Sequence, residues 1–572
     1  MGKLGSEAVC SALEELGIEV LFGLPGTQSL AFFEGLRRSN IRTVLAGSEV
    51  AAAFAAGGYY RSSGRLAALS TIPGPGLIYA LNGIAEARHD SAAMLVLVVR
   101  STSHQERAFR LQDFDLPALS EQVVKKSFRI QKVGDAAPIL SEAVATALSD
   151  EPGPVLVEMD SSMLVEHAGT GEVAPVPSPD PPRENEVAEV VARLEKSRRP
   201  ILFCGQGAFP AADLIREMSE KLRVPVITTG SGRGLISENT PLSIPCDFSS
   251  GSFEQVNALL AEADLIITIG AKLGHNGSAG FNLILPEDKM IRVDTSAATL
   301  EGNYPSSLEI RADSKVFMVE LKEALAASDL ANSDWDPNDL GDWRSKTAAD
   351  MQGKLPHIPL VSGAEQSTVA DVVQALRRVA PEDAILATDS GYHQVIARTF
   401  WRSLAPRGML VPSDLQSMGF GIPAAIGAAV ANPDRRVVAV IGDGGLIMSG
   451  MELLTAVREN IPLSVLLVND SSLGQIRMEQ YRAYGNDHAT ELLSPNTEAW
   501  CLSLGIKYIR LEDGIDDILS TALNQPGVTL VEAVCTESEE LKKLRRKGDL
   551  NNRIKRLVGS GLIAKLKKLL GR

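Results

Sequence analysis

Aromatic residues make up only 5% of this 572-residue chain, which holds 5 cysteines and 7 histidines. Cys10, Cys204, Cys246, Cys501 and Cys535 are scattered, without the paired spacing of a zinc or redox site. That excludes a disulfide framework and points to a reducing, cytoplasmic compartment. No run approaches the roughly 20 apolar residues that cross a bilayer. The first residues lead almost directly into a helical pattern, so no signal or transit peptide is expected. Basic charge is also in short supply, with 56 Lys and Arg against 71 Asp and Glu and a net charge of −15. This argues against a general nucleic-acid binder.

What the chain has is apolar residues, 45% of the total, enough for several cores and about three or four domains. Apolar strand-like runs at 20–22, 43–46, 66–70, 94–99 and 155–158 alternate with helical stretches. Such alternation implies α/β architecture with parallel sheets covered on both faces. A second set runs through 201–204, 224–228, 265–269 and 290–293, and a third through 384–388, 437–441, 463–468 and 529–534. The fold class is therefore three doubly wound parallel-sheet domains, at 1–168, 186–332 and 365–536. A Pro-rich linker at 169–185 and a polar one at 333–364 separate them. Units one and three are compatible with a shared fold.

The most informative stretch is Gly442-Asp443-Gly444-Gly445 followed by Asn469-Asp470-Ser471. A strand over 437–441 delivers small residues and one carboxylate. A helical stretch at 450–460 and a strand at 463–468 then deliver another. Asp443 and Asp470 thus stand at the carboxyl ends of parallel strands, where open α/β sheets bind ligands. Two hard oxygen ligands suit Mg²⁺, which takes its remaining ligands from phosphate and water. A plain tight turn is the competing reading of Gly-Asp-Gly by itself.

The complete stretch resembles the metal motif of thiamine diphosphate (ThDP) enzymes, and further segments match in order. These are Pro25-Gly26 after the opening strand, Gly47-Ser48-Glu49, Gly74-Pro75-Gly76, residues 82–87, residues 389–394 and residues 418–423. The resemblance spans about 2–534 and is closest to the acetolactate synthase and 2-keto acid decarboxylase branch, with pyruvate oxidases nearby. It implies a pyrimidine-binding first domain, a central domain and a diphosphate-binding third domain. Mg²⁺ would be held by Asp443, Asp470 and the Ser472 carbonyl. Pro25, Gly26, Gly391, Tyr392, His393, Met418, Gly442, Gly444 and Gly445 would contact the cofactor.

The resemblance gives Glu49 the catalytic role of hydrogen-bonding the aminopyrimidine ring, although a carboxylate there also simply favours the helix dipole. Met418 would support the bent cofactor, or serve as a core filler. Gln112 would reach the reaction centre as a second catalytic residue. His104, Arg107 and Arg110 read either as anchors for a substrate carboxylate or as solvated loop charges. Glycines at 205, 207, 270 and 274 mark a central site where some relatives bind FAD, and they are equally expected in ordinary turns.

The implied reaction is decarboxylation of a 2-keto acid such as pyruvate, with carboligation of the resulting enamine to a second carbonyl. Simple decarboxylation, flavin-linked oxidation and a non-catalytic scaffolding role are the alternatives. The family's site forms between two chains, which implies a homodimer or homotetramer.

Residues 537–572 carry 12 Lys and Arg against 4 acidic residues. Apolar residues recur there at three-and-four spacing, which predicts a basic amphipathic helix. It is expected to lie on a membrane surface, to dock into a partner groove or compartment shell, or to pack on its own oligomer.

Overall fold

Every strand of the three main sheets runs parallel to its neighbours. The computed structural model describes residues 3–558 apart from 104–105, 170, 247–252, 327, 329–330, 356 and 362–366. The first unit opens with β1 (Lys3–Leu4) and continues through β2 (Val20–Gly23), β3 (Arg42–Leu45), β4 (Ala68–Thr71), β5 (Met94–Arg100), β6 (Ser127–Ile130) and β7 (Pro154–Asp160) to β8 (His167–Ala168). The central unit holds β9 (Pro200–Cys204), β10 (Val226–Thr228), β11 (Ser243–Pro245), β12 (Leu265–Ile269), β13 (Met290–Asp294) and β14 (Leu308–Arg311). The third holds β15 (Ile385–Thr388), β16 (Met409–Leu410), β17 (Val437–Gly442), β18 (Leu463–Asn469), β19 (Lys507–Arg510) and β20 (Thr529–Val534).

The first sheet has the order β3-β2-β4-β5-β7-β6 and the third the order β16-β15-β17-β18-β20-β19. Counted within each unit, these are the same arrangement, so units one and three share a topology. The central sheet, β11-β10-β9-β12-β13-β14, instead has the order of dinucleotide-binding folds, with its switch point between β9 and β12.

Units one and three are fused through one apolar core, while the central unit has its own. The seam is the contact of helix Glu49–Ser63 with helix Gly421–Ala431, both rich in alanine. Small residues let the backbones approach closely, and a side chain on Gly427 would collide with the Ala55 carbonyl oxygen. Phe54 and Phe420 meet edge to face at 5.6 Å across this seam, a contact worth about 0.5–1.5 kcal/mol beyond its buried area.

Two local expectations change. The helix after β17 begins at Asp443 itself and runs to Ser449, before a 3₁₀ turn and helix Leu453–Arg458. The polar stretch after 333 contains helix Pro337–Lys354. Asp336 caps it by accepting from the Asn338 N–H at 2.8 Å, and buried Trp335 and Leu340 tie it to the central core.

Candidate active site

Asp443 stands at the end of β17 and Asp470 just past β18, which are adjacent in the sheet. The Ser472 N–H donates to Asp443 Oδ2 and to Asp470 Oδ1, each at 3.1 Å. Burial and then the charge of Asp470 push the Asp443 carboxyl up to about 7, and burial also raises Asp470. Two carboxylates facing one point, one buried and one half-buried, repel each other, and a divalent ion would remove the conflict. Asn469 braces the loop. Its Oδ1 accepts from the Ser471 N–H at 3.1 Å, and its Nδ2 donates to Glu532 at 2.7 Å. That brace holds Ser471 in the left-handed region, at φ 52°.

A second loop, after β15, reaches the same end of the sheet. Gly391 has φ +143°, a conformation that side chains rarely adopt. His393 is buried, its Nε2 has no hydrogen-bond partner among the described residues, and burial lowers it to about 4, which favours a neutral ring near pH 7. Its Cε1 lies 2.9 Å from where a Gly442 side chain would begin. The Tyr392 ring turns away, onto Met478, Tyr481, Leu541 and Leu544. Asp389 ties these pieces together by accepting from the N–H groups of Ser390 at 2.8 Å and Gly419 at 2.9 Å. A Cβ on Gly445 would sit 2.5 Å from its Oδ2. Met418 is half-buried, and its methyl reaches 2.9 Å from the position of a Gly444 Cβ. Gly391, His393, Met418, Gly442, Asp443, Gly444, Gly445, Asp470 and Ser472 thus form one cluster.

The other cluster lies on the first unit. Glu49 opens its helix after Ser48, whose Oγ accepts from the Ala51 N–H at 3.4 Å. The half-buried Glu49 carboxylate has no hydrogen-bond partner among the described residues, and its Oε1 lies 2.7 Å from the position of a Gly76 Cβ. Ile72 packs against both Gly76 and Gly26, which places the Pro25-Gly26 turn beside Glu49. Gln28 Nε2 donates to Gln112 Oε1 at 2.7 Å, so Gln112 joins this end. Among the described residues, no hydrogen bond connects the Glu49 carboxylate to the first cluster within one chain.

Sequence profiles described as the N-terminal, central and C-terminal domains of thiamine pyrophosphate enzymes match residues 3–119, 187–321 and 389–533. The chain belongs to the thiamine pyrophosphate enzyme family. It is 28% identical to acetolactate synthase 3, chloroplastic, of Brassica napus, over 94% of this chain and 84% of that protein. It is 27% identical to the acetolactate synthase isozyme 1 large subunit of Escherichia coli, over 96% of each. The acetolactate synthase large subunit of Lactococcus lactis is 28% identical, over 94% of this chain and 93% of that protein.

In this thiamine pyrophosphate enzyme, Gln112 shares a cavity of about 320 Å³ with Gln28, Arg100, Arg107, Arg110 and Phe114. Arg110 is bound to Asp113 at 2.5 Å and Arg107 is mostly exposed, whereas His104 lies outside the described residues. A larger cavity of about 840 Å³ occupies the central switch point, where Gly205, Gln206, Gly207, Gly270 and Gly274 meet Asp294.

Several structural partners were not legible as such in the sequence. Glu452 of the third unit accepts from the Gly47 N–H at 3.0 Å and the Ser48 hydroxyl at 3.2 Å, fixing the turn that carries Glu49. Asp389 and Glu532 act similarly, and Asp389 stood inside a recognised segment without a role of its own. The tail forms helix Glu539–Val558, and Leu541 is buried against Met478 and Tyr481. Arg482 pairs with Glu540 at 2.8 Å. The apolar positions from Leu562 onward lie outside the described residues. Among those described, no helix is long and apolar enough to cross a membrane.

Proposed function

We propose that this chain is a ThDP- and Mg²⁺-dependent, acetolactate synthase-like enzyme that decarboxylates a 2-keto acid of the pyruvate class and joins the remaining acyl unit to a second carbonyl. The observation that carries the reading is the paired carboxylates Asp443 and Asp470, converging on one N–H beside a glycine cradle. Near full-length similarity to acetolactate synthases supports carboligation over simple decarboxylation or oxidation.

The residues fit the cofactor. Asp443, Asp470 and the Ser472 carbonyl would hold Mg²⁺, which suits one or two carboxylates together with phosphate oxygens. Backbone at Gly391, Tyr392, Gly442, Gly444 and Gly445, together with the unpartnered His393 Nε2, would receive the diphosphate. Met418 would support the rings from its position over Gly444. Pro25 and Gly26 would border the pyrimidine, and the unpartnered Glu49 carboxylate would hold a proton at the ring nitrogen facing it. When bound, ThDP supplies the carbon nucleophile and the electron sink. Gln112, with Arg107 and Arg110 nearby, would orient the keto acid.

A homodimer or homotetramer with sites completed by a partner belongs to this reading. Ile78, Tyr79, Ile447 and Met448, next to the two clusters, are large exposed apolar residues and suit such an interface. The central cavity has the size that holds a nucleotide-containing ligand. FAD is one such occupant, and a flavin absorbance spectrum of purified protein is its test. The packing of Leu541 and Leu544 and the Glu540–Arg482 pair favour a structural role for the start of the tail, with a membrane or shell contact left to the residues beyond.

Incubating the enzyme with pyruvate, ThDP and Mg²⁺ tests the reaction. Formation of acetolactate supports the proposal. Acetaldehyde as the sole product, or turnover only with an added redox dye, contradicts carboligation.

A further inference from the structure

Helix Pro75–His89 and its C-cap present Asn82, Glu86 and Asp90 at intervals of four residues, hence along one stripe. This stripe holds the third-unit segment that leads into Met418. Ser413 N–H donates to Asp90 Oδ1 at 3.2 Å, Ser417 N–H to Glu86 Oε2 at 3.0 Å, and Ser417 Oγ to Asn82 Oδ1 at 3.1 Å. The contacts lie across the seam between two domains, next to the residue that lies over Gly444.

The two acids of the stripe are not equivalent. Asp90 has a buried ion pair with Arg61, whose guanidinium also donates to the Val411 carbonyl at 2.7 Å. Glu86 is 1% exposed, and among the described residues it has no ion pair and its Oε1 has no hydrogen-bond partner. A bare carboxylate in that position would be costly next to Asp90. A carboxylic acid, with one oxygen accepting from Ser417 and the proton on the other, costs far less there, even with its O–H unpaired among the described residues. Burial and then the Asp90 charge push Glu86 up to about 8, in keeping with that form.

We propose that Glu86 is a positioning residue for the ThDP chemistry: by accepting the Ser417 N–H it fixes the main chain at Met418, and so the support beneath the cofactor. This rests on the function proposed above. Without an acceptor, the buried Ser417 N–H must find another partner or stay unsatisfied. The segment then shifts by way of the backbone, and Met418 leaves its place over Gly444. Glutamine has the same shape as the neutral acid and retains the acceptor oxygen.

The test uses the full-length holoenzyme with Glu86→Ala and Glu86→Gln. ThDP affinity is measured by calorimetry, bound-cofactor geometry by near-ultraviolet circular dichroism, and kcat and KM with pyruvate. Removing the acceptor should lower both kcat and ThDP affinity about tenfold and alter the dichroism, with KM for pyruvate within about twofold. Glu86→Gln should stay within about threefold of the parent on every measure. If Glu86→Ala does not fold, Glu86→Met fills the same volume without an acceptor and carries the same expectation. Parental ThDP affinity and kcat in the acceptor-free variant would overturn the proposal, as would an equal loss in Glu86→Gln. A parent enzyme that takes up no ThDP would instead overturn the functional reading itself.

Discussion

Asp443 and Asp470 accept hydrogen bonds from the same backbone group, the N–H of Ser472, at 3.1 Å each. Two acids that share a single donor and sit largely out of water have a strong need for positive charge. Asp443→Asn should therefore lower Mg²⁺-dependent ThDP affinity by on the order of 100-fold, at the upper end of what even an outer-shell partner is worth. Asp470 is the less buried of the two, so an amide oxygen there, still a ligand and free of the repulsion, should cost about tenfold or less in Asp470→Asn. Calorimetric titration of ThDP at several Mg²⁺ concentrations checks both, and equal affinity in parent and Asp443→Asn would count against the clasp.

Glu49 is half-buried, without a hydrogen-bond partner among the described residues, and at the first position of its helix. Its carboxylate is free to meet a ligand. Glu49→Gln should keep ThDP binding and lose turnover by about 10²–10⁴-fold, the usual worth of a positioned acid or base. Steady-state kinetics next to a binding titration separate the two effects. Turnover at the parental rate would remove Glu49 from the mechanism.

The raised pKa of Glu86 predicts a pH dependence of stability. Its folded value, about 8, lies above the ordinary 4.5. Between those values the native chain holds a proton that the unfolded chain releases, so this group's contribution makes stability fall as pH rises through the window. Asp389 and Asp294, each pushed to about 6 mainly by burial, act in the same direction between 3.8 and 6. Glu86→Gln removes the largest of these contributions. Its urea midpoint should decline less than the parent's between about pH 6 and 8, and a parallel decline would show that Glu86 is ionised in the native state.

Leu541 is buried against Met478 and Tyr481, on the helix that follows the Asp470 loop, and Tyr392 packs into the same group. A chain ending after Thr536 uncovers these residues and loses the pairing of Arg482 with Glu540. Burying a side chain of leucine's size is worth about 1.5–3 kcal/mol, so that truncation should lower the urea midpoint and weaken ThDP binding severalfold. A chain ending after Val558 should match the parent in both. Indifference to the longer truncation would reduce the packed helix to an ornament of the fold.

How much could be read from the sequence varied with burial. The interior strands of all three sheets, such as β5, β9, β12, β17 and β18, announce themselves as continuous apolar runs because both faces are covered. Those not anticipated, β6, β11, β14, β16 and β19, all stand at or next to nothing beyond one neighbour, as sheet edges. They are short, and β6, β14 and β19 carry charges that face water, so no apolar run marks them. The Asp443 and Asp470 loops were legible because their small residues and carboxylates directly follow strand ends. Glu86, Asp389 and Glu452 were not, since a buried acid that reaches across a domain seam leaves no periodic signature in its own segment.

The central claim is tested most directly by titrating ThDP into the folded, full-length protein by calorimetry, with Mg²⁺ present and then with the metal chelated. Saturable uptake near one ThDP per chain with Mg²⁺, and its collapse on chelation, is the predicted result. No uptake in either condition by well-folded protein would contradict the account.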